Sequence, residues 1–104
     1  VEDVDRAIDA YREIMALDPN HFDAANRLSQ LQERIEDWPG AVETMGRLVE
    51  LHPEPAARVE LLTRLGRVYV EKLEDQTEGE RRLNEALLLD PGYVPALAAL
   101  AELY

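Results

Sequence analysis

The chain has 104 residues, carries a formal net charge of −11 and contains no cysteine. Its length is that of a single domain, and its 46% hydrophobic and 32% charged residues are typical of a folded chain with long solvated helices. The negative charge argues against binding to nucleic acid or to an anionic membrane, because both need a basic surface. The absence of cysteine excludes disulfide and thiolate chemistry. No apolar run approaches the roughly 20 residues that span a bilayer, so membrane insertion is not predicted.

No signal-peptide pattern opens the chain, and its first residue is Val1 rather than an initiator methionine. We therefore expect the chain to be part of a longer protein. The compartment stays open, with the cytoplasm favoured.

The first half of the sequence predicts three helices, because its apolar residues recur every three or four positions. The first helix covers residues 3–17 and stops where a proline follows, since proline disfavours helix in the residue before it. Asn20 is the predicted N-cap of the second helix, at 22–35. A turn at 36–40 then leads into the third apolar stripe, at 41–51.

Three further helices are predicted in the second half, at residues 55–73, 77–89 and 94–104. Pro55 is well placed in a first helical turn, where its missing N–H costs nothing. Three tyrosines lie at helical spacing on apolar faces and are predicted to belong to the core: Tyr11, Tyr69 and Tyr104.

Two short sequence motifs recur at the same intervals. A leucine and a proline two residues later occur at 17–19, 51–53 and 89–91, at intervals of 34 and 38 residues. A Glu-Asp pair at positions 2, 36 and 74 recurs at the same intervals. Such a period predicts stacked helix pairs, which bury apolar faces that no pair can bury alone. Small residues at matching positions predict close helix crossings: Ala7, Ser29, Ala41, Gly66, Gly79 and Ala101.

These residues resemble the tetratricopeptide repeat family over nearly the whole chain. One copy of the motif has Leu62, Leu65, Gly66, Tyr69, Gly79, Leu83, Ala86 and Pro91. The other has Ala25, Leu28, Ser29, Ala41, Met45, Leu48 and Pro53. Gln32 stands where the motif has tyrosine, and Met45 where it has an aromatic residue. Pentatricopeptide repeats have a similar period, but they bind RNA and are basic, so the charge argues against them.

The resemblance implies an all-α fold of about six helices, with antiparallel helix-turn-helix repeats stacked as a right-handed superhelix. It divides the chain into one repeat domain with four parts: a half-repeat at 1–19, a repeat at 20–53, a longer repeat at 54–91 and a half-repeat at 92–104.

The resemblance also implies a non-catalytic module that binds a protein or peptide in a groove lined by the first helix of each pair. The partner-binding residues carried over in this way are Asn26, Gln30, Thr63, Arg64 and Arg67. Segment 56–73 supports this groove because it holds four basic and two acidic residues in an otherwise acidic chain. The plainer interpretation is that these arginines pair with nearby glutamates on a wet surface. Some family members clamp a partner's carboxylate with two lysines, but this chain has only Lys72.

Nothing in the sequence predicts catalysis, a cofactor or a metal site. There is no glycine-rich phosphate loop, and the two histidines, His21 and His52, lie beside loop prolines without enough further ligands. Two alternatives to partner binding stay open. The chain could be a structural spacer or assembly segment of a larger protein, or the regulatory repeat region of an enzyme whose catalytic domain lies elsewhere.

The two predicted half-repeats suggest self-association. The apolar stripe of the first helix, around Ile8 and Tyr11, and that of the last, around Leu97 and Tyr104, each need a cover. We expect end-to-end association between copies, with a two-fold contact between like ends as the competing arrangement.

Overall fold

The computed structural model describes residues 2–104, with side chains from residue 3 onward. Val1, with which the first predicted half-repeat begins, lies outside the described residues. The described residues form six α-helices and no strand. The helices are α1 (Glu2–Leu17), α2 (Phe22–Arg34), α3 (Trp38–Leu51), α4 (Pro55–Glu71), α5 (Gln76–Leu89) and α6 (Val94–Leu103). The all-α prediction is confirmed, and each predicted helix is present.

The chain divides into two units, of which the first ends at Leu51 and the second begins at His52. In the first unit α2 packs against both α1 and α3. In the second unit α5 packs against α4 and α6, and α4 also contacts α6. In each unit the middle helix therefore contacts the helix before it and the helix after it.

The core of the first unit is built from the apolar stripes of its helices. Met45 and Leu48 of α3 are almost fully buried, as are Ala25 of α2 and Ala41 of α3. Burying a side chain of the size of Met45 or Leu48 stabilises the fold by about 1.5–3 kcal/mol. The stripe of α1 also has a cover, because Ile8 is buried and Tyr11 is half-buried. α2 thus covers part of this stripe, and the end-to-end association expected from it stays a prediction.

The core of the second unit depends on a close crossing of α4 and α5. A Cβ atom added at Gly66 would lie 2.8 Å from Cγ of Leu83 and 3.0 Å from the main-chain oxygen of Gly79. A Cβ added at Gly79 would lie 2.9 Å from the main-chain oxygen of Gly66. The two glycines thus let the backbones of α4 and α5 touch. The predicted close crossing is confirmed here.

The Glu-Asp pairs mark the same turn in both helix pairs. Glu36 and Glu74 adopt left-handed φ values of 60° and 53°. The aspartates that follow accept hydrogen bonds from the first turn of the next helix, Asp37 from Gly40 N–H at 3.2 Å and Asp75 from Glu78 N–H at 3.1 Å. Each carboxylate thereby accepts from a main-chain N–H that has no partner within its own helix. Their recurrence in the sequence therefore has a structural cause.

The structure corrects the sequence-based expectations for Asn20, Tyr104 and Ala101. The N-cap of α2 is His21 and not Asn20, because the His21 Nδ1 accepts a hydrogen bond from Ala24 N–H at 3.1 Å. Tyr104 is 81% exposed rather than in the core, and its hydroxyl donates a hydrogen bond of 2.6 Å to Glu80. Ala101 is exposed, since among the described residues no helix lies against its face of α6.

Candidate functional site

Gln30 lies on an exposed face of α2, in a cleft of about 260 Å³ between α1 and α2. Tyr11 and Leu31 line this cleft together with two exposed arginines, Arg27 and Arg34. Positions 27, 30, 31 and 34 lie on one helix face because they are three, four and seven residues apart. Neither arginine forms an ion pair with a residue that the structure describes. Both are therefore available to an anionic partner.

Asn26, the second candidate on α2, is half-buried. Its main-chain oxygen accepts a hydrogen bond of 2.8 Å from the Ser29 hydroxyl. Asn26 precedes Gln30 by one helical turn, so the two side chains lie on the same side of α2. The structure therefore places these two candidate residues on the same side of α2.

Two of the three candidates on α4 are exposed and one is not. Arg64 and Arg67 are exposed and lie one helical turn apart. Thr63 is only 5% exposed, and its hydroxyl donates a hydrogen bond of 2.9 Å to the main-chain oxygen of Val59. The assignment of Thr63 to an exposed groove is therefore corrected, because the residue belongs to the core of the second unit and its hydroxyl is already used.

Arg67 lines a cleft of about 230 Å³ that α4, α5 and α6 form within the second unit. Val70, Leu83, Ala99 and Leu103 give it apolar walls, and Glu71 and Glu102 contribute carboxylates. Arg67 makes no ion pair within the described residues, although Glu71 is only one turn away. The cleft therefore combines an apolar wall with one unpaired cation.

Other charged groups form an exposed network at the start of α5. Arg81 donates a hydrogen bond of 2.7 Å to Glu78, and Arg82 donates another to it at 3.1 Å. These bonds, Arg81 first, hold the pKa of the Glu78 carboxyl below its ordinary value. Such partly exposed pairs contribute little to stability and indicate no chemistry.

No metal centre or membrane span is found in the part of the chain that the structure describes. No group of three or more histidine, aspartate or glutamate side chains is placed to hold a metal ion within residues 3–104. Among the described helices, none has the length and apolarity needed to cross a bilayer.

Comparison with known proteins identifies the family. The model of the tetratricopeptide repeat matches residues 2–70, which is more than half of the chain. The chain belongs to the tetratricopeptide repeat family. Tetratricopeptide repeats generally mediate protein–protein interaction and are typically non-catalytic scaffolds.

Two further comparisons accompany the tetratricopeptide assignment. The crystal structure of MamA is similar to this chain with 19% sequence identity and a TM-score of 0.48, covering 99% of this chain and 78% of the MamA chain. No curated protein matches the sequence.

Proposed function

We propose that this chain is a non-catalytic module that binds an acidic peptide or protein segment on the exposed faces of its first helices. The repeat division at 20–53 and 54–91 is part of the proposal, because it makes α2, α4 and α6 those first helices. One observation gives the main support for this binding surface. Arg64 and Arg67 project together from α4 in a chain with a net charge of −11, and Arg67 opens into a partly apolar cleft.

The cleft beside Arg67 supports recognition of a peptide rather than of a bare ion. An arginine alone on a wet surface contributes little, because water screens its charge. Here Val70 and Leu103 give a peptide side chain apolar surface to bury next to the guanidinium. Arginine is enriched in protein interfaces for this combination of planar donors and apolar stem. In the first unit, Gln30 between Arg27 and Arg34 offers a second surface of the same charge.

The proposal predicts that Arg64→Glu/Arg67→Glu abolishes partner binding while helicity and melting temperature stay nearly unchanged. Both side chains are exposed, so reversing their charge removes attraction to an acidic segment without disturbing the core. Partners captured on the immobilised chain would be identified by mass spectrometry. Each partner's affinity would then be measured by isothermal titration calorimetry.

The matched control is Arg6→Glu/Arg81→Glu, which makes the same change in net charge at exposed positions outside the clefts beside Gln30 and Arg67. A partner that binds wild type and control equally but loses the Arg64→Glu/Arg67→Glu variant supports the proposal. A partner that binds all three proteins with equal affinity contradicts it.

A second candidate, an assembly segment, is favoured by α6. Val94 and Leu97 are 69% and 45% exposed, and Ala98 and Ala101 continue the same face. Exposed apolar stripes of this kind are typical of protein-protein contacts. The stripe of α1 is largely covered by α2, so a two-fold contact between α6 helices is better supported than an end-to-end one.

Sedimentation velocity over a concentration series tests this self-association. We expect a concentration-dependent dimer that Leu97→Glu abolishes, because a buried carboxylate without a partner is costly. Leu88→Glu is the control, since Leu88 is 83% exposed on α5 and lies outside the stripe. A monomer at every concentration would rule out the assembly role for this chain.

A further inference from the structure

The cleft beside Gln30 has an excess of positive charge in its lining. Two of its five lining residues are arginines, and no described acidic residue lines it. Arg27 and Arg34 are exposed and form no ion pair with any residue that the structure describes. The exposed side-chain amide of Gln30 likewise has no hydrogen-bond partner there. Three donor side chains of one helix face are therefore unused.

Two other clefts contain counter-charges of their own. In the cleft beside Arg67, Glu71 and Glu102 contribute carboxylates. A third cleft, of about 400 Å³ in the first unit, is lined by Arg12, which lies 3.9 Å from the Asp37 carboxylate. The other polar residues of its lining are Gln32, Glu43, Thr44 and Arg47. The cleft beside Gln30 differs from both because its arginines have no acidic residue beside them in the lining.

The acidic residues of α2 do not cancel this charge. Asp23 and Glu33 both lie outside the lining of the cleft. Asp23 precedes Arg27 by one turn on the same face but forms no ion pair with it. Asp23 instead lies in the first turn of α2, where a carboxylate favours the positive end of the helix dipole. The cleft therefore keeps two positive charges that an anion can neutralise.

The spacing of the two arginines allows both to contact one group. Arg27 and Arg34 are seven residues apart, which places them on one face and about 10 Å apart along the helix axis. Gln30 lies between them on the same side of α2. The long arginine stems can bring both guanidinium groups to one anion above Gln30. The volume of about 260 Å³ is below that of most small-molecule pockets, so it suits a single side chain.

A phosphate ester fits this donor set better than a carboxylate does. A single carboxylate has one negative charge and would leave one of the two arginines without a counter-ion. A phosphorylated serine or threonine carries a charge of about −1.5 to −2 at pH 7 and three strong acceptor oxygens. These three oxygens match the three donor side chains, and arginine clusters are a recurring means of binding phosphorylated segments.

We propose that the cleft beside Gln30 binds a phosphorylated serine or threonine side chain of a partner protein, with the phosphate accepting from Arg27, Gln30 and Arg34. Tyr11 and Leu31 are half-buried and give the neighbouring residues of the bound segment apolar surface. Because the occupant is a segment of another protein, this binding rests on the proposed function. It adds the chemical group that the first unit recognises.

The test uses the complete chain and the capped peptide acetyl-AAXAA-amide, in which X is phosphoserine, glutamate or serine. Binding is followed by ¹⁵N–¹H NMR, in which the side-chain N–H signals of Arg27, Gln30 and Arg34 report on the proposed hydrogen bonds. We expect the phosphoserine peptide to shift these signals and to bind at least about tenfold more tightly than the glutamate peptide. Equal affinities for these two peptides, or binding without a shift at the three residues, would overturn the proposal.

Neutral variants separate the two arginines from the general charge of the chain. Arg27→Gln and Arg34→Gln each remove one cation from the lining at an exposed position. Arg47→Gln makes the same change at an exposed position of the same unit outside this cleft, so it is the matched control. We expect each cleft variant to weaken the phosphoserine peptide by at least about tenfold. The control should weaken it by less than about twofold, because salt screens distant charges. Equal losses for all three variants would contradict a site in this cleft.

Two further measurements identify the source of the phosphate and the independence of the site. Saturation of the same signals by inorganic phosphate, at the affinity of the peptide, would overturn the protein source and indicate a site for a free anion. The Arg64→Glu/Arg67→Glu variant changes the other unit and should bind the phosphoserine peptide as wild type does. If wild type does not bind this peptide, phosphate recognition is ruled out. A partner protein that only the Arg64→Glu/Arg67→Glu variant loses would still support the proposed function.

Discussion

Truncation of Leu83 to alanine is expected to lower the free energy of unfolding by about 2–5 kcal/mol. Leu83 is 1% exposed, and its Cγ lies against the place where α4 and α5 cross at Gly66. Removing it deletes buried methyl groups and leaves a cavity that the backbone contact between Gly66 and Gly79 cannot readily close. Urea denaturation followed by far-UV circular dichroism measures the change.

Leu88→Ala is the control for this prediction. Leu88 lies on the same helix as Leu83 but is 83% exposed, so its truncation should change stability by less than about 0.5 kcal/mol. Similar losses for the two variants would mean that the core of the second unit is not centred on Leu83.

The second large effect is expected for Gly66→Ala, which should destabilise the chain by about 1–3 kcal/mol. Alanine is the better helix former by about 1 kcal/mol, so propensity alone predicts the opposite sign. The new methyl group would meet Leu83 Cγ at 2.8 Å and the Gly79 carbonyl oxygen at 3.0 Å. The carbonyl is part of the backbone and cannot rotate away, so α4 and α5 must separate. The same urea titration gives the result.

Gly46→Ala and a double variant complete this test. Nothing lies within 4 Å of a Cβ added at Gly46, so its replacement should stabilise the chain by about 0.5–1 kcal/mol. Gly66→Ala combined with Leu83→Ala should cost less than the sum of the single changes, because truncated Leu83 no longer meets the new methyl group. Strict additivity would show that the steric conflict with Leu83 is not what destabilises Gly66→Ala.

Much of the local structure could be predicted because its causes are local. Prolines at fixed distances after leucines mark helix ends, and the Glu-Asp pairs mark the turns that Asp37 and Asp75 cap. The small residues predicted the crossing of α4 and α5, since only glycine lets two backbones touch there. These signals need no knowledge of which helix packs on which.

The sequence-based predictions for single residues fail where the burial of a side chain depends on neighbouring helices. Thr63 shares a helix with the exposed Arg64, and only the packing of the second unit decides that Thr63 is buried. Tyr104 matches the spacing of Tyr69, but it follows the end of α6, where its hydroxyl reaches Glu80 while the side chain stays 81% exposed. The sequence predicts a plain loop histidine at His21, because a histidine cap has no sequence signature as clear as that of aspartate.

The candidate clefts were harder to predict than the fold. The repeat register identifies Arg67 as a partner-binding candidate, although its apolar surroundings depend on α6. The only feature of Gln32 in the sequence is that it replaces the tyrosine of the family motif. Its burial and its bond to Thr44 depend on the packing of α2 against α3, which periodicity does not specify.

The Thr44 hydroxyl of α3 donates a buried hydrogen bond of 2.7 Å to Gln32 of α2, and this bond bears on which helices pair during folding. Repeats with similar motifs risk exchanging partners, because α3 and α5 carry small and apolar residues in the same register. These are Ala41, Met45 and Leu48 on α3 and Gly79, Leu83 and Ala86 on α5. In the α5 register, Arg82 occupies the place that Thr44 has on α3, before the motif residue Leu83. A mispaired α2 would bury Gln32 against a guanidinium in place of the Thr44 hydroxyl, and a charge buried without a counter-ion is costly. One polar pair can thus favour the correct neighbour among helices that share a repeat motif.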